Sequence, residues 1–96
     1  MTDDHMVLVA KALAHPARIR IVHLLAAQTE CRGRDVFAEL PLAQSTISEH
    51  LRVLKQAGLV HARAVGTEMV YCFVPSVLGE FRDAIGSIAA CAIECT

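Results

Sequence analysis

A single, mainly helical α+β domain is what the sequence predicts, and three observations carry that prediction. The chain has 96 residues, enough to bury roughly two-thirds of its unfolded surface around one core and too few for a second. Residues 1–96 are therefore expected to form one domain. Five stretches repeat apolar residues at helical spacing. Two short apolar runs separated by Gly66-Thr67 have strand character instead.

The elements follow in order. Met6 to Ala14 (MVLVAKALA) is apolar apart from Lys11 and predicts a short buried helix. It should stop at His15-Pro16, because the residue before a proline disfavours the helical region. Pro16 opens a second helix, to about Ala27, at a position where its missing N–H costs nothing. Ile19, Val22, Leu24 and Leu25 are expected to face the core, with Arg18 and Arg20 toward water. Gln28 to Arg34 is polar with one glycine and predicts a connection or one short strand. Asp35 to Leu40 predicts a compact helix with Val36, Phe37 and Leu40 inward, and Pro41 forbids its continuation.

Residues 42–60, LAQSTISEHLRVLKQAGLV, are the most informative. Ile47, Leu51, Leu54 and Ala57 share one helical face, while Ser45, Ser48, Glu49, Arg52, Lys55 and Gln56 lie opposite. The spacing predicts a helix over 44–57, closed by Gly58 as a left-handed cap. Its start lacks a capping Ser, Thr, Asn or Asp before Gln44, and Thr46 with Glu49 offers a capping box one turn late. Leu59 to Val65 and Glu68 to Val74 then read as a β-hairpin. Beyond Pro75, the spacing of Val77, Phe81, Ile85, Ile88 and Ala92 predicts a final helix over 76–94. Gly79 and Gly86 each weaken it by about 1 kcal/mol relative to alanine, so it needs a packing partner.

Composition and charge narrow the class. Apolar residues make up 54% of the chain and charged residues 20%, a surplus on so small a body that points to a partner, most simply a second copy. The longest run without a charged side chain is the eleven residues Met69 to Gly79, against the ~20 of a membrane span, so no membrane partner is expected. Asp3 and Asp4 stand where a secretory leader carries positive charge, which predicts a cytoplasmic chain. The net charge of -1 hides a gradient: residues 11–74 hold eight bases and five acids, and the excess acid lies at the two ends. Four cysteines, Cys31, Cys72, Cys91 and Cys95, are expected to be reduced in that compartment, as thiols for metal, metalloid or redox chemistry.

Three helices, the third polar on one face after a tight turn, followed by a hairpin, is the order of a winged helix-turn-helix with flanking helices at either end. The residues LAHPARIRIVHLL, LAQSTISEHLRVLKQAGLV and MVYCFV, together spanning about residues 8–75 without insertion, resemble the ArsR/SmtB family of bacterial metal- and metalloid-responsive repressors. The core S-T-I-S-E-H-L-x-x-L-x-x-A-G-L-V is the specific part of the match. The resemblance implies a homodimer that binds double-stranded operator DNA and leaves it when an inducer binds, and the apolar runs Met6 to Ala14 and Ile85 to Ile93 predict pairing through the first and last helices.

Short hydroxyl and amide side chains at the start of the third helix allow close approach to phosphates and base edges in a major groove. Gln44, Ser45, Thr46, Ser48 and Glu49 are placed for that approach, with His50 and Arg52 behind them, and Arg63 and Thr67 belong to the wing. The plainer alternative is a solvated helix face and an ordinary hairpin tip. Ala43 departs from the Ser common in the family, so the expected cap on the recognition helix is missing.

For the inducer, the family's sites can be tested against this chain one by one. A zinc-type site on the last helix needs histidines, and residues 76–96 contain none. The family's E-L-C-V-C-D-L stretch reads E-C-R-G-R-D-V here, with Arg32 and Arg34 in place of the two cysteines. A subgroup with A-C-I-C-G-D and V-C-Y-C is matched at one cysteine of each pair, Cys31 and Cys72. What remains is CAIEC: on a helix, Cys91 and Cys95 would share one face, within reach of one soft ion. As(III) or Sb(III) is the expected inducer, with Zn(II) or Cd(II) as alternatives. Cys31 and Cys72 form a second candidate set, brought together if the connection before the third helix pairs beside the hairpin. A thiol-redox switch on the same scaffold, without a metal, is the other reading, as is plain packing of small apolar side chains. No nucleophile-base order, phosphate loop or paired carboxylates suggest an enzyme, and no cofactor is needed for folding.

Overall fold

The computed structural model describes residues 1–28, 31–91 and 93, with positions 31 and 34 described by their backbone alone. Helices α1 (Asp3–Leu13) and α2 (Pro16–Ala26) lead to a two-residue strand β1 (Cys31–Arg32) and helices α3 (Gly33–Glu39) and α4 (Gln44–Gln56). Strands β2 (Val60–Val65) and β3 (Glu68–Phe73) and helix α5 (Pro75–Ala89) complete the chain. The fold is a winged helix-turn-helix, α+β and mainly helical, as the sequence predicts.

Local chemistry accounts for the boundaries. Thr2 starts α1 earlier than the apolar run does, its Oγ1 accepting the His5 N–H at 3.1 Å, and Asp3 and Asp4 suit the positive end of the helix dipole. His15 caps α2, its Nδ1 accepting the Ala17 N–H at 3.1 Å, with Pro16 in the first turn. Gly58, at φ 81°, closes α4 by a Schellman turn: its N–H donates to the Lys55 carbonyl at 2.9 Å and that of Leu59 to Leu54 at 3.1 Å. Gly66, at φ 61°, turns the hairpin. The sheet order is β1-β3-β2, antiparallel throughout, with Ala62 opposite Tyr71 and Val60 opposite Phe73.

The core lies between the helices and the inner face of this small sheet. Val9 and Ala12 of α1, Ile21 and Leu25 of α2, Val36 of α3, and Ile47, Leu51 and Leu54 of α4 are buried with Leu59 and Val60. Phe37, Tyr71, Phe73, Val77 and Phe81 pack against that cluster.

Several expectations are corrected. Helix α1 is not buried all round: Val7 is 51% and Leu8 48% exposed, because the monomer covers only the Val9 and Ala12 side. In α2 the buried pair is Ile21 and Leu25, four apart, while Ile19 is exposed and Arg18 turns inward to polar partners instead of toward water. The late capping box in α4 does not form, since Glu49 pairs with Arg52. Helix α5 ends at Ala89, not 94, and none of its residues is buried. Gly86 lies in its last turns, with little propensity to carry the helix further.

Candidate nucleic-acid interface

Helix α4 is anchored by one stripe and offers the other. Ile47, Leu51 and Leu54, none more than 1% exposed, fix its rotation about its own axis. That rotation leaves Gln44, Ser45, Thr46, Ser48, Glu49 and Arg52 all exposed on the outer face. Ala43 caps the helix with no side-chain hydrogen bond, so the first main-chain N–H groups stay open to an acceptor from outside, such as a phosphate.

The charged members of this face are already paired. Arg52 grips Glu49 through two parallel hydrogen bonds, Nε donating to Oε2 at 2.9 Å and Nη2 donating to Oε1. That bond from Arg52 holds the Glu49 carboxyl below its ordinary range and raises the guanidinium in turn. Until Glu49 is displaced, its carboxylate offsets the positive charge that Arg52 could offer.

His50 stands apart from the other candidates. It is 8% exposed and faces the α2 side of α4, because its position follows the buried stripe of Ile47 and Leu51. It is therefore not available to a groove. Its Nδ1 accepts from Arg18 Nε at 3.2 Å, and its ring lies 4.5 Å from that of His15. From the sequence Arg18 is expected toward water, since helical periodicity within α2 says nothing about a partner 32 residues away.

The hairpin supplies the flank. Arg63 and Thr67 are exposed, Arg63 opposite Val70 in the ladder and Thr67 at the turn. Arg32 of β1 bridges to Glu68 at 2.9 Å across the sheet edge. Between hairpin and α4 lies a cleft of about 300 Å³ that includes Gln44, Phe37, Tyr71 and Thr67. Gly33 forms its floor, where an added Cβ would sit 3.4 Å from Tyr71 Cε2. A polar helix face beside a projecting hairpin fits a groove about 12 Å wide with its flanking backbone.

Two of the four cysteines are described with their side chains. Cys72 is half-buried on β3, opposite His61, and Cys91 is exposed, two residues past the end of α5; both are free thiols. Position 31 does pair beside β3, but opposite Tyr71, one step off Cys72. At Cys91 the chain is no longer helical, and Cys95 lies outside the described residues. Among the described residues no three His, Cys, Asp or Glu side chains are grouped to hold a metal ion, and no helix is long and apolar enough to cross a membrane.

Residues 15–62, half of the chain, match the family described as bacterial regulatory protein, arsR family. An uncharacterized HTH-type transcriptional regulator of Mycobacterium tuberculosis is 40% identical over 70 residues, 73% of this chain and 61% of that protein. The chain thus spans about 61% of the length of this relative. Among solved structures, a possible transcriptional regulator for arsenical resistance is 37% identical, with a TM-score of 0.73 over 81% of this chain and 80% of that one. A homodimeric winged helix-turn-helix DNA-binding domain from Mycobacterium bovis is 30% identical, with a TM-score of 0.72 over 98% and 92%.

Proposed function

Because the chain belongs to the ArsR family of bacterial regulatory proteins, we propose that it is a homodimeric transcriptional repressor that binds double-stranded operator DNA and is released by a thiophilic inducer. The observation that carries the DNA reading is the two-sided α4, with Ile47, His50, Leu51 and Leu54 buried and Gln44, Ser45, Thr46, Ser48, Glu49 and Arg52 open. Gln44, Ser45, Thr46, Ser48, Glu49 and Arg52 meet base edges and phosphates, and Arg63 and Thr67 meet the flanking backbone. Such a protein is a regulator and not an enzyme, and it works in the cytoplasm.

Pairing through α1 and α5 is supported by the apolar residues the monomer leaves open: Val7, Leu8, Ile85 and Ile88, the last 67% exposed. The homodimeric relative supports a dimer. A symmetric dimer presents two α4 helices to half-sites about one helical turn apart.

For the inducer, Cys91 and Cys95 are the first set and Cys31 with Cys72 the second, holding As(III) or Sb(III), or else Zn(II) or Cd(II), through thiolates. The likeness to a possible regulator of arsenical resistance supports the metalloid. Release follows if the ion binds the DNA-free form more tightly, each tenfold ratio being about 1.4 kcal/mol of coupling. A thiol-redox switch without a metal is the second reading, for which Cys72 and Cys91 are free thiols.

The test of the DNA reading is the triple variant Thr46→Ala, Ser48→Ala, Arg52→Ala, with binding measured on a duplex selected from a randomised pool by the wild-type protein. These exposed residues lie opposite the buried stripe, so affinity should fall at least tenfold with little change in melting temperature. Unchanged affinity would sink the groove assignment.

A further inference from the structure

Arg18 sits where three helices meet. Its Nη1 donates to the main-chain carbonyl of Lys11 at 2.9 Å and reaches that of Ala12 at 3.5 Å, both in the last turn of α1. Its Nε donates to Nδ1 of His50 at 3.2 Å, near the middle of α4. One planar guanidinium thus adds a second hydrogen bond to the Lys11 carbonyl, which also accepts the Ala14 N–H, reaches the carbonyl of Ala12, and holds α4 at the same time. The His15 ring, 4.5 Å from His50 and tilted by 51°, closes the remaining side. None of these groups lies on the outer face of α4, so the cluster does something other than touch DNA.

We propose that Arg18 and His50 are positioning residues: the guanidinium fixes the recognition helix relative to α1, the helix that carries the pairing surface, and a proton taken up on His50 Nδ1 breaks that hold and weakens DNA binding. The proposal rests on the DNA-binding reading above.

The chemistry is specific to the neutral ring. Nδ1 can accept from Arg18 only while the imidazole carries its single proton on Nε2. A second proton on Nδ1 would turn acceptor into donor and set an imidazolium against a guanidinium at the same contact. The titratable and charged groups acting on His50 are His15, which caps α2, Arg18 of α2 and Glu49 of α4 itself, while α1 contributes the Lys11 and Ala12 carbonyls that hold Arg18. Burial pushes the imidazole below its ordinary value, His15 and Arg18 act in the same direction, and only Glu49 opposes them. Folded protein therefore keeps His50 neutral at pH values where the unfolded chain has begun to protonate it. Unfolded molecules then bind more protons, and stability falls as pH drops through and below about 6.5.

The sign for DNA binding discriminates. Protonating a histidine near phosphates adds positive charge and strengthens binding. Release of α4 acts oppositely, because a dimer reads two half-sites only if both helices keep their spacing.

The experiment measures affinity of the full chain for the selected duplex from pH 7.5 to 5.5 at constant salt, beside His50→Asn and Arg18→Lys. Asparagine keeps an acceptor at the Nδ1 position and does not titrate; lysine keeps the charge but cannot span ring and carbonyls together. Wild-type affinity should fall about tenfold or more on acidification. H50N should bind within a few-fold of wild type at pH 7.5 and stay flat, and R18K should bind weakly at every pH. In the DNA-free protein, imidazole nitrogen NMR should give the Nε2–H tautomer for His50, and amide exchange in α4 should quicken as that ring protonates. Wild-type affinity that is constant or rises on acidification, or H50N that follows the wild-type pH profile, overturns the proposal. If H50N does not fold, the wild-type exchange and NMR titrations with the R18K profile decide it. Failure to select any duplex overturns the DNA reading instead, and α4 exchange that ignores the His50 titration overturns the joint independently of DNA.

Discussion

The Nε2 of His5 donates to the main-chain carbonyl of Ala57 at 2.8 Å, tying the first turn of α1 to the C-terminal cap of α4. Gly58 follows at once, with His5 Nε2 and Val77 Cγ2 each 3.7 Å from where its Cβ would be. The end of α4, the start of α1 and the first turn of α5 therefore meet at one residue.

At Gly58 the limit is conformation and not space. Contacts at 3.7 Å are ordinary, but φ of 81° is left-handed. Gly58→Ala should cost about 1–2 kcal/mol and lower the melting temperature by roughly 4–8 °C per kcal/mol. A thermal unfolding curve within 1 °C of wild type would show that the backbone there relaxes freely.

Glu49 tempers the charge of its own helix. Glu49→Gln removes the carboxylate that grips Arg52 and frees the guanidinium for phosphate. DNA affinity at low salt should rise, and the slope of log affinity against log salt should steepen by up to about one. Weaker binding by E49Q would mean instead that the carboxylate reads a base.

The pairing surface can be broken without touching the core. Ile88 is 67% exposed, so Ile88→Glu leaves the monomer's own packing intact. Sedimentation at micromolar concentration should move from two chain masses to one, with loss of tight DNA binding. A dimeric I88E protein would place the interface elsewhere.

The inducer site is tested by Cys91→Ser with Cys95→Ser. Reduced double variant should still bind DNA and no longer release it on arsenite. Persisting release transfers the site to Cys31 and Cys72; a wild type that ignores arsenite but releases DNA on oxidation to a disulfide favours the redox switch.

What the sequence determined by itself is local and periodic. The Ile47, Leu51, Leu54 spacing located α4 and its outer face, Pro16 and Gly58 marked helix ends, and Gly66-Thr67 marked the hairpin, because capping, turn geometry and amphipathicity act within a few residues. The residues proposed to read DNA, His50 excepted, were legible for that reason. Tertiary structure decided the rest. That Arg18 leaves water for His50, that His5 reaches Ala57, and that β1 meets β3 opposite Tyr71 and not Cys72 all depend on how separate elements come to rest against each other. Contacts between residues 32 or 52 positions apart leave no period in the chain, since only packing of the apolar faces brings such groups within hydrogen-bonding distance.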